Sequence, residues 1–379
     1  MESGEQGVRK PDGYSRHIQL HPPTLEPWAG DPERAVAVLM SGGVDSSVTA
    51  LLLKRAGWDV LGITMKIPTA QSRDYKRSCC GVEAAYVAKG LDIAHYYLDV
   101  RQAFVDLVIE PFRKAYARGE TPSPCVDCNT VFKFGLVWDF IEETFGIMRM
   151  ATGHYARVVQ TESGARLARA TDARKDQSYF LYGIPARRLP YFMLPLGEMT
   201  KQDVRDLARQ AKLPVARRPE SMELCFAGEG DYRNALQAQP ADGPILDMAG
   251  REIGRHGGIA NFTVGQRKGT GVAVGRPLYV VKINAVENSI TVGEWDEVSR
   301  RNVRAREINV LVPGELHARA RLLGKIRSQG EPLPCVVTDL DGDRLEVEFD
   351  RAQFAPTPGQ RLVLYNAEGH VVVGGVIEE

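Results

Sequence analysis

The sequence predicts an α/β domain built on a doubly wound parallel sheet, followed by two small β-rich domains, the last a β-barrel. Three observations predict it. Between residues 35 and 155, short apolar runs alternate with helical stretches, the pattern of a parallel sheet covered on both faces. A glycine-rich loop, SGGVDSS (41–47), directly follows the first apolar run. After about residue 226 helical stretches become scarce, and short strands with Gly and Asp turns take over.

Taken in order, AVAVLM (35–40) reads as a buried strand and VTALLLKRAG (48–57) as a helix closed by Gly57. DVLGITMKI (59–67) is a second strand, and CGVEAAYVAKG (80–90) a helix ending at Gly90. IAHYYLDV (93–100) is a third strand. QAFVDLVIEPFRKAYARG (102–119) and FKFGLVWDFIEETFG (132–146) carry helical patterns, and MRMATGHYARVV (148–159) contains a fourth strand. Farther on, NFTVGQRKG, RPLYVVKINAVENSITVG, LEVEF, RLVLY and HVVVGGVI read as strands, with Asp341-Gly342 as a hairpin turn. The expected organisation is a disordered tail over 1–33, a catalytic α/β domain over 34–225, a central β-rich domain over 226–299 and a C-terminal β-barrel over 300–379.

A chain of 379 residues is too long for one ordinary core. With 44% hydrophobic and 25% charged residues it has the composition of a soluble globular protein. No apolar run reaches the ~20 residues a bilayer span needs. The first 30 residues mix Glu2, Glu5, Arg9 and Asp12 with prolines and lack the apolar stretch of a secretory signal. A cytoplasmic location without membrane contact is expected, and six cysteines in a reducing compartment argue against a structural disulfide framework. The 48 basic and 48 acidic residues cancel, which argues against a general nucleic-acid coat but leaves room for a local basic groove. Residues 300–327 show such a bias, with Arg300, Arg301, Arg304, Arg306, Arg319, Arg321, Lys325 and Arg327 against Glu307 and Glu315. A solvated face of a β domain is the commoner cause of such a run.

In SGGVDSS, Gly42 and Gly43 let the backbone turn so that its N–H groups meet an anion at close range. Asp45, Ser46 and Ser47 then open a helix whose N-terminus favours negative charge. No Lys follows the glycines, so this is not the loop of kinases and GTPases. It suits holding pyrophosphate more than transferring a γ-phosphoryl group. Asp45 is read either as a helper in holding Mg²⁺ on the phosphates or as a helix cap.

TPSPCVDCN (121–129) places Cys125 and Cys128 in a CxxC spacing, with Pro122 and Pro124 expected to hold the loop extended. A lone CxxC supports three readings: half a zinc site, a redox pair, or a nucleophile beside a helper thiol. Zinc wants four ligands and no second CxxC exists. Cys79 and Cys80 are assigned to packing and Cys335 to the core. Cys225, in SMELCFAG, taken alone is read as a small buried residue. His154 is a buried hydrogen-bonding histidine or a site residue, and His256 orients a glycine turn.

Together, SGGVDSS (41–47), CCGVEAAYVA (79–88), TPSPCVDCNTVFKFG (121–135), ATGHYARV (151–158), KDQSYFLYG (175–183), SMELCFAG (221–228), NFTVGQRKGTG (261–271) and PLYVV (277–281) resemble the tRNA-specific 2-thiouridylases, a family of PP-loop ATP pyrophosphatases with an adenine nucleotide alpha hydrolase-like fold. The resemblance runs from about residue 35 to the C-terminus. It implies ATP-dependent 2-thiolation of the wobble uridine (U34) of tRNA, giving 2-thiouridine, AMP and pyrophosphate.

It implies ATP, with Mg²⁺, on Leu39, Met40, Ser41, Gly42, Gly43, Val44, Asp45 and Ser46, with Met65 after the second strand and Gly153 completing the pocket. By the same resemblance Cys128 is the nucleophile and Cys225 carries the persulfide, the two closing a disulfide during the cycle. Ser123, Pro124 and Cys125 touch the target base, and Lys175, Asp176, Gln177, Arg327 and Ser328 contact tRNA. Implied partners are the tRNAs for Lys, Glu and Gln and a cysteine desulfurase or sulfur-relay protein. Two positions depart from the family: Cys125 stands where much of it has an aspartate acid or base, and Ser123 where it usually has Asn. The first change gives three thiols, Cys125, Cys128 and Cys225, so a [4Fe–4S] cluster held by them stays open beside the persulfide. A different PP-loop ligase adenylating a carboxylate, and a nucleotide sensor without catalysis, are the alternatives from other classes.

Overall fold

Five parallel strands lie side by side in the computed structural model, which describes residues 18–68, 81–219, 224–227, 232–236, 241–272 and 275–378. The chain folds into two compact units, Met1–Val108 with Cys125–Gly230 and Ile109–Pro124 with Asp231–Glu379. In chain order the first stretch comprises β1 (Gln19–Leu20), β2 (Ala35–Leu39), α1 (Val44–Arg55), β3 (Asp59–Lys66), α2 (Val82–Leu91), β4 (Ala94–Asp99) and α3 (Arg101–Phe104). A π-helical turn, Val105–Ile109, leads from α3 into α4 (Glu110–Ala117), which belongs to the second unit. α5 (Pro124–Asp127) runs into a ten-residue π-helical stretch, Cys128–Val137, and on into α6 (Trp138–Phe145). β5 (Met150–Ala151), the hairpin β6 (Arg157–Thr161) with β7 (Gly164–Ala168), β8 (Phe192–Met193) and α7 (Lys201–Gln210) complete the unit.

The sheet order is β1-β4-β3-β2-β5-β8. β2 is central: β3 and β4 extend the sheet to one side, β5 and β8 to the other, so the order reverses at β2. In an open α/β sheet the crevice at the carboxyl end of such a strand is where ligands bind. All five residues of β2 are buried, which explains its continuous apolar run. Val48, Leu51 and Leu53 of α1, Ala84, Val87 and Ala88 of α2 and Val204 and Ala208 of α7 form one core with Val36 and Val38 of β2.

Residues 18–33 differ from the expected tail. β1 pairs antiparallel with the edge strand β4, Gln19 opposite Asp99, and Trp28 N–H donates to Tyr96 Oη at 3.0 Å. An uncovered edge strand leaves backbone groups without partners, and this segment supplies them. Cys79 and Cys80, and Ser221 to Glu223 of the SMELC motif, lie outside the described residues.

The second unit holds β9 (Asp242–Leu246), β10 (Glu252–Gly257), β11 (Tyr279–Asn284) and β12 (Ser289–Gly293) in a sheet ordered β10-β9-β12-β11. After α8 (Trp295–Val298), six strands close an antiparallel barrel: β13 (Ser299–Val310), β14 (Arg321–Lys325), β15 (Leu333–Asp341), β16 (Arg344–Phe354), β17 (Arg361–Tyr365) and β18 (Val371–Ile377). Cys335 is fully buried in the barrel core. His256 accepts from the Gly258 N–H at 3.0 Å through Nδ1, so its Nε2–H donates to Asn288 O at 3.1 Å; it does orient the glycine turn. The basic run lies largely on β13 and β14 and is matched across the barrel surface: Arg304 pairs with Glu346 at 2.8 Å, Arg301 with Glu348 at 3.0 Å and Arg321 with Asp350 at 3.0 Å.

Candidate active site

Between β2 and α1 the chain turns through Met40 to Gly43. Thr64 Oγ1 donates to the Met40 carbonyl at 2.7 Å and Arg218 Nη1 to the Gly42 carbonyl at 2.9 Å. Gly42 has φ +72°, a conformation that a side chain disfavours. The serines hold the loop's shape: Ser46 Oγ accepts from Ser41 N–H at 3.2 Å, and Ser47 Oγ donates to Gly43 O at 2.8 Å. Gly43, the N-cap of α1, has no side chain to cap the first turn, and its own N–H donates to Ser41 Oγ at 3.3 Å; a helix start of this kind favours an anion. Leu39, Met40 and Val44 are buried around the turn. Met65 is half-buried inside β3, near its carboxyl end rather than after it.

Gly153 follows β5 across the switch point. A β-carbon there would lie 2.8 Å from the Asp45 carbonyl carbon and from Ser46 N, so the close approach requires glycine. Glycine turn, uncapped helix start and small residue opposite make a cradle that fits a polyphosphate. Asp45, however, is already engaged: Lys201 Nζ lies 2.7 Å from both its carboxylate oxygens, and Tyr155 Oη donates to Oδ1 at 3.1 Å. Lys201, 156 residues away in sequence, has no signal in the loop that would have revealed it.

The CxxC is helical rather than extended. Pro124 takes the first position of α5, where its missing N–H costs nothing, and the helix carries Cys125 and continues from Cys128. Cys125 is exposed and Cys128 buried. Burial pushes the Cys128 thiol up to about 11; the Cys125 residue keeps an exposed surface, but the protein packed around its sulfur desolvates the thiol and raises it too, and the Lys133 ammonium opposes both shifts. Lys133 donates to Asn129 Oδ1 at 3.0 Å, and Asn129 donates in turn to Phe180 O at 3.0 Å, tying this helix to the KDQSYFLYG segment. His154 is brought down to about 3, by burial first and by Lys133 second, so it stays a neutral ring, with Nδ1 2.8 Å from Thr152 Oγ1. Lys133 is thus a site residue that the motif reading missed; its signal was a lysine five residues after Cys128.

Cys225 sits exposed in a turn closed by Ala227 N–H on Leu224 O, not as a buried small residue. Phe226 anchors the turn against Phe104 (ring centroids 5.9 Å), and Phe104 packs edge-on against Phe132 of the Cys128 helix (5.1 Å). One aromatic side chain therefore supports both thiol-bearing segments. Among the described residues no three His, Cys, Asp or Glu side chains are grouped as metal ligands. Cys125, Cys128 and Cys225 are not brought together as such a group.

Of the expected tRNA contacts, Asp176 has a buried carboxylate that accepts from the backbone N–H groups of Ala170 (3.0 Å) and Ser178 (3.1 Å) and from Ser178 Oγ (3.0 Å). Gln177 is clamped to the backbone of Tyr155 by its own N–H and by Oε1. Both hold the segment's shape, and Lys175 beside them is half-buried. Ser123 belongs to the second unit, where its hydroxyl donates to Gln360 Oε1 at 3.3 Å; Pro124 is buried. Arg327 donates to the carbonyls of Phe354 (3.0 Å) and Ala355 (2.8 Å), and the Ser328 carbonyl accepts from Lys325 Nζ at 3.0 Å. No helix among the described residues is long and apolar enough to cross a membrane.

Family models match the chain in three consecutive segments. One described as the tRNA methyl transferase HUP domain covers residues 34–229, one described as the tRNA methyl transferase PRC-barrel domain covers 234–294, and one described as the Aminomethyltransferase beta-barrel domain covers 300–377. The tRNA-specific 2-thiouridylase MnmA 1 of Syntrophus aciditrophicus is 43% identical over 355 residues, 92% of this chain and 93% of its own. MnmA of Moorella thermoacetica is 43% identical over 350 residues, 89% of this chain and 97% of its own. MnmA of Bradyrhizobium sp. ORS 278 is 40% identical over 367 residues, 92% of each chain.

Proposed function

The chain belongs to the tRNA-specific 2-thiouridylase family, and from that premise we propose that it thiolates C2 of the wobble uridine of tRNA in the cytoplasm, using ATP and a persulfide carried on Cys225. The carrying observation is the pair of thiol segments seated on Phe104, one thiol exposed and the other buried beside a lysine, in the same unit as a phosphate cradle. A methyl transfer, as the domain descriptions word it, needs neither a pyrophosphate cradle nor a second thiol.

Bound ATP supplies the adenylyl group that turns the uracil C2 oxygen into a leaving group, with loss of pyrophosphate. Ser41 to Ser46 and Gly153 hold the polyphosphate, and Asp45 is the carboxylate the loop can offer to Mg²⁺. Cys225, exposed, is accessible to a desulfurase or relay protein that loads the terminal sulfur. That sulfur attacks C2 and AMP leaves. The Cys128 thiolate then attacks the Cys225 sulfur, releasing 2-thiouridine and closing a Cys128–Cys225 disulfide, which an external thiol reduces. Lys133 supports this step because it stabilises the thiolate against burial.

Cys125 replaces an acid–base aspartate in this reading, and its raised pKa makes it a proton donor rather than a base. The target uridine is splayed from a single-stranded loop, with Ser123, Pro124 and Cys125 at the base and Lys175, Asp176, Gln177, Arg327 and Ser328 along the tRNA. The tRNAs for Lys, Glu and Gln are the expected substrates.

The test is single-turnover thiolation of a wobble-uridine transcript by metal-free protein loaded by a desulfurase, with Cys128→Ala and Cys225→Ala in parallel. Wild type should form 2-thiouridine, both variants should not, and Cys225→Ala should still release pyrophosphate. Thiolation by Cys225→Ala would sink the persulfide assignment, and thiolation that needs iron would restore the cluster.

A further inference from the structure

The phosphate loop lacks the lysine that many nucleotide loops carry within their own sequence. The fold brings one from elsewhere. Lys201 is the first residue of α7, after the Thr200 cap, and its ammonium reaches the first turn of α1 to sit 2.7 Å from both oxygens of Asp45. Its side chain is 13% exposed. α7 is fixed in that place, since Val204 and Ala208 share the buried core of α1. The Tyr155 ring lies 5.6 Å from the ammonium and its hydroxyl on Asp45, so the pair is seated on both sides.

A cation at this position is electrostatically costly by itself. It stands at the first turn of α1, where the helix start carries partial positive charge, while the start of α7 itself is closed by the Thr200–Asp203 capping box. It is tolerated only beside an anion, and Asp45 supplies one. The same surroundings that disfavour a lone ammonium favour a phosphate, because the start of α1 and the ammonium then attract one ligand together.

We propose that Lys201 is the phosphate-binding cation of the nucleotide site, held in reserve by Asp45. With Mg²⁺ and ATP bound, Asp45 would be the carboxylate offered to the metal ion, and Lys201 would exchange its carboxylate partner for phosphate oxygen. The pair thus keeps both charges neutralised before ligand arrives and frees both when it does. The inference rests on the reading of this loop as an ATP site.

The test is equilibrium binding of ATP with Mg²⁺, and of adenosine, to wild type, Lys201→Met, Lys201→Arg, Asp45→Asn and the Asp45→Asn/Lys201→Met double variant. Lys201→Met should weaken ATP by about tenfold or more while leaving adenosine unchanged, and Lys201→Arg should retain most of the ATP affinity. The double variant, which buries no lone charge and so keeps the fold, should bind ATP more weakly than Asp45→Asn by a similar factor. If the double variant binds ATP as Asp45→Asn does, Lys201 is only the carboxylate's partner and the inference falls. If wild type binds adenosine but gains nothing from the phosphates, or binds neither, the ATP reading falls and takes the inference with it.

Discussion

The β-carbon that Gly153 lacks would stand 2.8 Å from the backbone nitrogen of Ser46, the second serine of the phosphate loop. The neighbouring atoms are backbone at the start of α1, so they cannot swing aside as a side-chain tip would. Gly153→Ala should therefore displace the first turn of α1 and destabilise the fold by about 1–3 kcal/mol, the usual range for overpacking. ATP affinity should fall more than stability implies, because the displaced N–H groups are those offered to phosphate. A thermal melt and a nucleotide titration separate the two effects; unchanged affinity would remove Gly153 from the nucleotide site.

A second glycine tests how the thiol helix is held. A β-carbon at Gly183 would lie 1.9 Å from Thr130 Oγ1 and 2.8 Å from Thr130 Cβ. Gly183→Ala should cost about 1–3 kcal/mol. Thr130→Ala removes the hydroxyl and methyl but leaves Cβ, so the double variant should recover part of the loss. The check is a double-mutant cycle by urea denaturation. A strictly additive pair would mean that the two segments separate in the folded protein.

The parallel sheet was legible because its strands are buried on both faces and read as continuous apolar runs, as in β2. The cover strand β1 was not: its two exposed residues carry no pattern and are ordered only by the edge they pair with. The helix from Cys128 hides its π winding, since nothing in CNTVFKFGLV marks an i+5 bond over an i+4 one. The motifs located the cradle and both thiols, but not the charges that govern them. Lys201 meets Asp45 only through the docking of α7 on α1, and the basic run on β13 is paired only once the register with β16 is known. Asp176 and Gln177 were read by resemblance as tRNA contacts. Their hydrogen bonds to residues 170, 178 and 155 show a scaffolding role that no linear pattern displays.

Thiol reactivity should follow the Lys133 charge. Cys128 is protonated below about 11, so at pH 8 roughly one molecule in a thousand carries the thiolate. In a variant whose other cysteines are replaced, alkylation of Cys128 should rise about tenfold per pH unit from 7 towards 11. Lys133→Met removes the charge that opposes the upward shift, so the profile should move to higher pH and the rate at pH 8 should fall. The same change lifts a repulsion from protonated His154, whose pKa should move up from about 3. Mass-spectrometric alkylation rates and a histidine NMR titration check the two directions. Faster alkylation in Lys133→Met would reverse the assignment.

Acid sensitivity should come in part from His95. The ring is fully buried on β4, with Nε2 2.8 Å from Thr64 Oγ1 and Nδ1 3.2 Å from Thr24 Oγ1. Thr64 gives its proton to the Met40 carbonyl, so it accepts from Nε2–H, and Nδ1 is left to accept from the Thr24 hydroxyl, which it shares with the His95 carbonyl at 3.3 Å. Both nitrogens are satisfied in the neutral ring, and burial lowers the pKa from 6.5 to about 4. Above pH 6.5 the ring is neutral folded and unfolded, and pH does not affect its contribution. Between 6.5 and about 4 the unfolded chain takes up a proton that the folded ring refuses, so stability falls with falling pH by up to about 1.4 kcal/mol per unit. His95→Gln, which carries no such proton, should make the acid limb of unfolding free energy against pH shallower by that amount over the same window, with no change of slope above pH 7. An equal slope in wild type and variant would mean that the folded ring is protonated at the same pH as the unfolded one.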